Sequence, residues 1–209
     1  MKWRVAVDGE ETTAVFEPAT SGKSAAVFVA GHGAGSHREH RSMVQLAQVL
    51  RGRGFGVVRF NFLYREQGSG VPDRMPRLQA CFSSVTERVR QELPNSKLII
   101  GGRSMGGRVA SMLAAEGFEC DGLLLFAYPL HPAGQREKLR ASHLPQIKVP
   151  VLCINGTRDA LCDRILMERA IANLSWQMHW LEGKDHSFQV TAEVGEVAAR
   201  WLAEINGVR

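Results

Sequence analysis

From about Ala25 onward, short runs of β-branched and other apolar residues alternate with longer stretches whose apolar positions recur every three or four residues. A run that is apolar throughout predicts a strand covered on both faces, and the helical spacing predicts a helix with one face toward a core. On this reading Ala25–Ala30 (AAVFVA), Val57–Phe62 (VVRFNF), Lys97–Gly101 (KLIIG), Gly122–Ala127 (GLLLFA) and Val149–Ile154 (VPVLCI) are buried strands, and Gln177–Leu181 (QMHWL) is another. Met43, Leu46, Ala47 and Leu50 mark a helix closed by Gly54. Arg108–Ala115 reads as a second helix, and Val190, Val194, Val197 and Trp201 mark a third. Before Ala25, Trp3–Val7 and Thr13–Phe16 have the look of two short strands forming an antiparallel edge.

Strands alternating with helices predict an α/β protein with a mostly parallel sheet flanked by helices. The 209 residues suit one domain, 1–209, with a single sizeable core. The longest irregular stretch, Tyr64–Pro76, is expected to be a surface loop near the site. The connection from Phe126 to Val149 holds only about twenty residues, with Pro129, Pro132 and Pro145 among them, which leaves little room for a cap domain and predicts an open site.

Composition narrows the function classes. The chain is 44% hydrophobic and 22% charged with a formal net charge of +5. Its arginines are spread among 21 acidic residues instead of forming a basic stripe, which argues against nucleic acid, while a mild positive potential would attract anionic substrates. Cys81, Cys120, Cys153 and Cys162 form none of the close pairs that metal sites need, and reduced thiols in a cytoplasmic protein are the simplest reading. Met1–Glu11 shows no apolar leader, and no segment approaches the roughly 20 apolar residues of a membrane span. Oligomeric state is not readable.

The chemistry-bearing pattern is Gly102-Arg103-Ser104-Met105-Gly106, placed directly between the strand KLIIG and the helix beginning near Arg108. At a sharp strand-to-helix turn a serine is held in a strained conformation with its hydroxyl exposed, and flanking glycines prevent collisions with neighbouring backbone. The helix N-terminus offers unpaired N–H groups, and that of Met105 is a candidate oxyanion donor. A phosphate-binding loop is the nearest rival, since Gly102 and Gly107 have G-x-x-x-x-G spacing. Arg108 and Val109 stand where that loop needs lysine and a hydroxyl. A glycine-rich turn with no catalysis explains the glycines but not the downstream partners.

A serine hydroxyl needs a base held by a carboxylate. Asp159, in Asn155-Gly156-Thr157-Arg158-Asp159, and His186, in Gly183-Lys184-Asp185-His186, each follow the C-terminal end of a strand, where parallel sheets gather their ligand-binding loops. Asp163 and Asp185 are the alternative carboxylates. His37, His40, His131, His143 and His179 lack this placement and read as surface or packing residues; no metal signature is present, and no cofactor is required. His32-Gly33-Ala34-Gly35, after the first central strand, is the candidate second oxyanion loop through Ala34 or Gly33. Gly31, Gly33 and Gly35 do not match the G-x-G-x-x-G of a dinucleotide loop. Arg103 or Arg65 is a candidate for charge pairing with an acidic substrate, against a structural role for either.

These segments, HGAG, GRSMG, GTRD and GKDHSF, resemble those of the α/β-hydrolase superfamily in the chain order Ser, Asp, His. The phrase GGRSMGGR is similar to that of small lidless members near the dienelactone-hydrolase-like group, although dienelactone hydrolases proper carry cysteine at the turn. The resemblance implies an α/β-hydrolase fold with little or no cap and hydrolysis of an ester, thioester or related acyl bond in a small-molecule substrate. A peptidase or acyltransferase would use the same groups. The chain is also similar to hydrolase-like subunits of chromatin complexes, which keeps a non-catalytic binding or scaffold role as the alternative.

Overall fold

The computed structural model describes residues 1–205. The chain opens with β1 (Lys2–Val7) and β2 (Glu10–Glu17), joined by a tight turn at Asp8-Gly9 and paired antiparallel with Lys2 opposite Val15 and Val7 opposite Glu10. Their burial alternates along the strand, as expected when one face is packed and the other is wet. The parallel part follows as β3 (Ala26–Gly31), α1 (Arg41–Arg51), β4 (Phe55–Phe60), the short α2 (Leu63–Glu66), α3 (Met75–Glu92) and β5 (Leu98–Arg103). It continues through α4 (Met105–Ala115), β6 (Gly122–Phe126), a 3-10 turn at Leu144–Gln146, β7 (Val151–Gly156), α5 (Arg164–Ile171), β8 (Trp176–Leu181) and α6 (Ala192–Ile205).

One eight-stranded sheet has the order β1-β2-β4-β3-β5-β6-β7-β8, antiparallel only where β2 meets β1 and β4. The five central strands are buried on both faces because helices cover both sides. Along β3, Val27 and Val29 join the core under α3, α4 and α5, while Phe28 and Ala30 face α1 and α6 with Met43, Leu50 and Trp201. The topology matches the expected mostly parallel sheet, and no separate cap layer interrupts it.

Several boundaries differ from the sequence reading: β4 starts and ends two residues earlier, β7 two residues later, and α4 begins at Met105, directly after Ser104. The α1 helix ends at Arg51 with Gly52 as its cap, and Gly54, at φ +89°, turns the chain into β4. The stretch 64–76 is helical at both ends: Tyr64 is buried within α2, and Pro76 sits in the first turn of α3, where a missing N–H costs nothing. Only 67–74 is irregular, and Asp73 fixes it by accepting from the Tyr64 N–H at 3.1 Å.

The centre of the sheet is also where backbones approach most closely. A Cβ built on Gly106 would lie 2.2 Å from the Gly31 carbonyl oxygen, and one on Gly102 would lie 2.1 Å from the same atom. Helix α4 can therefore rest directly on the end of β3. Next to this contact His32 is fully buried, its Nε2 accepting from the Phe62 N–H at 3.2 Å while Nδ1–H donates to the Gly33 carbonyl at 2.8 Å. Burial lowers its pKa from the ordinary 6.5 to about 4, outweighing the opposing effect of the Gly33 hydrogen bond.

Gly106→Ala should cost about 3 kcal/mol in denaturant unfolding, because the opposing atom is backbone and cannot rotate away. His32 sets an acid limit. Its folded pKa lies below its unfolded value, so its contribution is complete above pH 6.5 and is lost as pH falls toward 4, by at most about 1.4 kcal/mol per pH unit. Unfolding free energies measured across that window should flatten in His32→Gln relative to wild type.

Candidate functional site

The strand order places the C-terminal ends of β3, β5, β7 and β8 along one edge of the sheet, and the loops leaving them meet around Ser104. Ser104 itself joins β5 to α4 at φ +50° and ψ −114°, a backbone conformation costly for any residue with a Cβ. It is held there by its N–H donating to the Phe126 carbonyl at 2.9 Å and by its own carbonyl accepting from the Arg108 N–H at 3.0 Å.

His186 approaches from the loop after β8. Its Nε2 lies 2.8 Å from Ser104 Oγ, and Nδ1 lies 2.8 and 2.9 Å from the two oxygens of Asp159. With Nδ1–H donating to the carboxylate, Nε2 is left as the acceptor for the serine proton. The Asp159 side chain has no solvent exposure, and it also accepts from the Leu161 N–H at 2.8 Å and from Asn155 Nδ2 at 3.3 Å. The two loops that supply Asp159 and His186 are laced together: the Arg158 N–H donates to the Lys184 carbonyl at 2.8 Å, and a Cβ on Gly156 would meet that carbonyl at 2.1 Å.

The alternative carboxylates have other work. Asp163 caps α5 by accepting from the Leu166 N–H and pairs with Arg136, and Asp185 accepts from the Ser187 N–H. Arg103 donates from Nη2 to the His186 carbonyl at 2.6 Å and lies over the Phe188 ring at 4.9 Å, so it braces the His186 loop. Arg65 donates to the Ser69 carbonyl and lines neither hollow beside Ser104.

Gly33 passes 3.6 Å from Ser104 Cβ, measured to its own notional Cβ. Its carbonyl is fixed by His32 Nδ1–H at 2.8 Å and by the Ser36 N–H at 3.1 Å. Because a trans peptide directs C=O and N–H to opposite sides, this fixes the Ala34 N–H on the face away from those donors. Ala34 and Ser104 together line two hollows. One, of about 410 Å³, is bounded by Gly33, His40, Arg103 and His186. The other, of about 390 Å³, is bounded by Met105, Arg108, Pro129, Arg140 and Leu161.

A second Ser-His contact lies deeper. Ser111 Oγ is 2.9 Å from His143 Nε2 and 3.0 Å from the Tyr128 hydroxyl. Ser111 has no exposure, and its hydroxyl donates to the Arg108 carbonyl at 2.8 Å, so its proton is engaged by backbone. Burial, followed by Arg108, lowers the His143 pKa to about 4, which leaves a neutral polar cluster inside the core. The sequence reading placed His143 among surface or packing residues, and it lies half-buried against Ser111 and Tyr128. That reading named His32 and Asn155 within their loops but gave their side chains no role, although the placement of each directly at or after a buried strand was available as a signal.

The four cysteines are free, and burial raises every thiol, Cys81 to about 12 and Cys120 to about 11. None offers a thiolate near Ser104 at neutral pH. Among the described residues no group of three or more His, Cys, Asp or Glu side chains could hold a metal ion, and no helix is long and apolar enough to cross a membrane.

Solved structures share this architecture at low sequence identity. Dienelactone hydrolase from Anabaena variabilis superposes with a TM-score of 0.77 at 21% identity, covering 98% of this chain and 97% of that one. XC6422 from Xanthomonas campestris, described as a serine hydrolase without lid, gives 0.74 at 20% identity over 98% and 92%. Est1E from Butyrivibrio proteoclasticus gives 0.79 at 14% identity over 99% of both chains. A model of the α/β hydrolase domain matches residues 24–207, which takes in every loop at the Ser104 edge, and the chain belongs to that family.

Proposed function

We propose that the protein is a serine hydrolase that cleaves an ester, thioester or related acyl bond of a small molecule through an acyl-enzyme on Ser104. The observation that carries this reading is the unbroken hydrogen-bond chain from buried Asp159 through His186 to the Ser104 hydroxyl. In the first step Ser104 Oγ attacks the acyl carbonyl carbon while His186 Nε2 takes the hydroxyl proton, and Asp159 stabilises the imidazolium. The carbonyl oxygen becomes an oxyanion, for which the Ala34 and Met105 N–H groups are the donors, with Gly33 leaving space for the carbonyl. His186 then returns the proton to the departing oxygen or sulfur, the C–O or C–S bond breaks, and water repeats the sequence to release the acid. Arg103 serves as a positioning residue through the His186 carbonyl.

The same groups would transfer the acyl chain to another nucleophile or open a peptide bond, and the absence of a capping layer above Ser104 favours small, accessible esters. A cytoplasmic setting, with no nucleic acid or membrane as partner, fits the four free thiols and the dispersed charge. A scaffold role is the reading that remains if the nucleophile is inert.

A fluorophosphonate probe should label the wild-type protein and leave Ser104→Ala unlabelled. On p-nitrophenyl esters, kcat should fall about 10⁴-fold in Asp159→Asn, which leaves the imidazole in the wrong tautomer, and by at least as much in Ser104→Ala. A folded wild-type protein that neither labels nor turns over would transfer the weight to a binding role.

A further inference from the structure

The arginines of this protein divide into two groups. Apart from Arg108 and Arg140, every buried or half-buried arginine of the described residues donates from its side chain to a carboxylate or a carbonyl. Arg59 pairs with Glu17 at 2.9 Å and Arg51 with the same glutamate at 3.1 Å, for example, while Arg103 is tied to the His186 carbonyl. Arg108 and Arg140, both half-buried, engage no acceptor among the described residues; Nε of Arg108 is shielded without a partner, as it is in Arg38, Arg53, Arg65 and Arg88, but those four donate from a terminal nitrogen. Both face the hollow that they share with Ser104, Met105 and Ala34, and no acidic side chain lines it.

The neighbours of Arg108 offer no compensation. Tyr128 and His143 are neutral near pH 7 because burial raises the one and lowers the other. Burial lowers the Arg108 pKa, and the positive charge of Arg140 acts in the same direction. Two like charges withdrawn from water beside one hollow are unfavourable until an anion enters, and guanidinium groups suit a carboxylate because their N–H pairs match its two oxygens.

The two hollows also have different chemical positions. The departing group must lie where His186 can protonate it, and His186 lines only the hollow bounded by His40 and Arg103. The hollow on the Met105 and Arg108 side is therefore left for the acyl chain. We propose that it binds an acyl group ending in a carboxylate, so that the preferred substrates are half-esters or half-thioesters of short dicarboxylic acids. This proposal rests on Ser104 being the nucleophile for its catalytic part, while anion binding by Arg108 and Arg140 can be measured separately.

The kinetic test compares p-nitrophenyl hydrogen glutarate with p-nitrophenyl methyl glutarate, which has the same chain and no charge. Wild type should favour the acid in kcat/KM, and the acid-to-methyl ratio should fall about tenfold or more in Arg140→Gln, drop below one in Arg140→Glu, and shrink toward ~1 M salt. Arg140 lies in a loop with its main-chain N–H fixed to Leu130, so its variants should fold even if Arg108→Gln does not. The binding test titrates glutarate, with its neutral diamide as control, into Ser104→Ala by calorimetry. Glutarate should bind, the diamide should not, and adding Arg140→Gln should weaken glutarate about tenfold or more. Brisk turnover with no preference for the acid, or a ratio unchanged in Arg140→Gln, would overturn the dicarboxylate assignment and leave the hydrolase reading standing. Arginine-dependent glutarate binding without turnover of any ester would do the reverse, retaining the anion site and removing the acyl-enzyme.

Discussion

The contact on which the site depends is between the last residue of β3 and the turn that carries Ser104. Gly31, Gly102 and Gly106 bring three stretches of main chain within a distance that no Cβ could enter. That approach lets α4 begin immediately after β5, which forces Ser104 to φ +50° at a local cost of about 1–3 kcal/mol. The cost is borne by the surroundings: the Ser104 N–H and carbonyl are both hydrogen-bonded, and the strands on either side are fully buried. Strain here has a geometric result. It lifts the hydroxyl off the sheet edge toward His186 and leaves the first N–H groups of α4 beside it.

The same packed centre organises the other loops. The end of β3 leads into His32, whose buried ring holds both the start of α2, through Phe62, and the Gly33 carbonyl. A neutral imidazole can do this because one nitrogen accepts while the other donates, and burial keeps it neutral. On the far side of Ser104, Asn155 bridges the Tyr128 backbone and the Asp159 carboxylate, coupling the loop after β6 to the one after β7. The loops after β3, β6 and β7 are thus fixed by buried polar side chains, His32 and Asn155, from strand ends. A loop fixed in this way can hold its side chains in place on a rigid scaffold.

This arrangement explains which parts of the molecule could be read from sequence. The central strands were legible because both of their faces are covered, which leaves apolar runs such as LLLF with no polar alternation to confuse them. The meeting of Ser104, Asp159 and His186 could be anticipated because turn geometry and strand ends restrict the same positions. Arg103 was ambiguous in sequence, since a partner such as the His186 carbonyl is 83 residues away and leaves no local trace. The helical ends of 64–76 were hidden for the opposite reason: glycine, aspartate and proline dominate the local pattern, while the burial of Tyr64 is decided by packing against distant strands. Arg65 takes the structural alternative of the sequence reading, its side chain donating to the Ser69 carbonyl and lining neither hollow beside Ser104.

Arginine provides the last distinction, because two of the sheltered arginines among the described residues engage no acceptor while each of the others donates at least once. A guanidinium offers five donors and cannot shed its charge, so partial burial is tolerable only with acceptors nearby. Arg59, with Glu17 and Glu39, meets that requirement from within the fold, and its 5% exposure carries no penalty that the fold has not already offset. Arg108 and Arg140 are less buried yet less satisfied, and the hollow between them opens on Ser104. A fold that pairs its other sheltered arginines but leaves these two without acceptors has withheld its own carboxylates from one place. The acceptor that fits there must arrive from outside, and on the proposed function the position of Ser104 at its edge makes the acyl end of a substrate the group best placed to bring it.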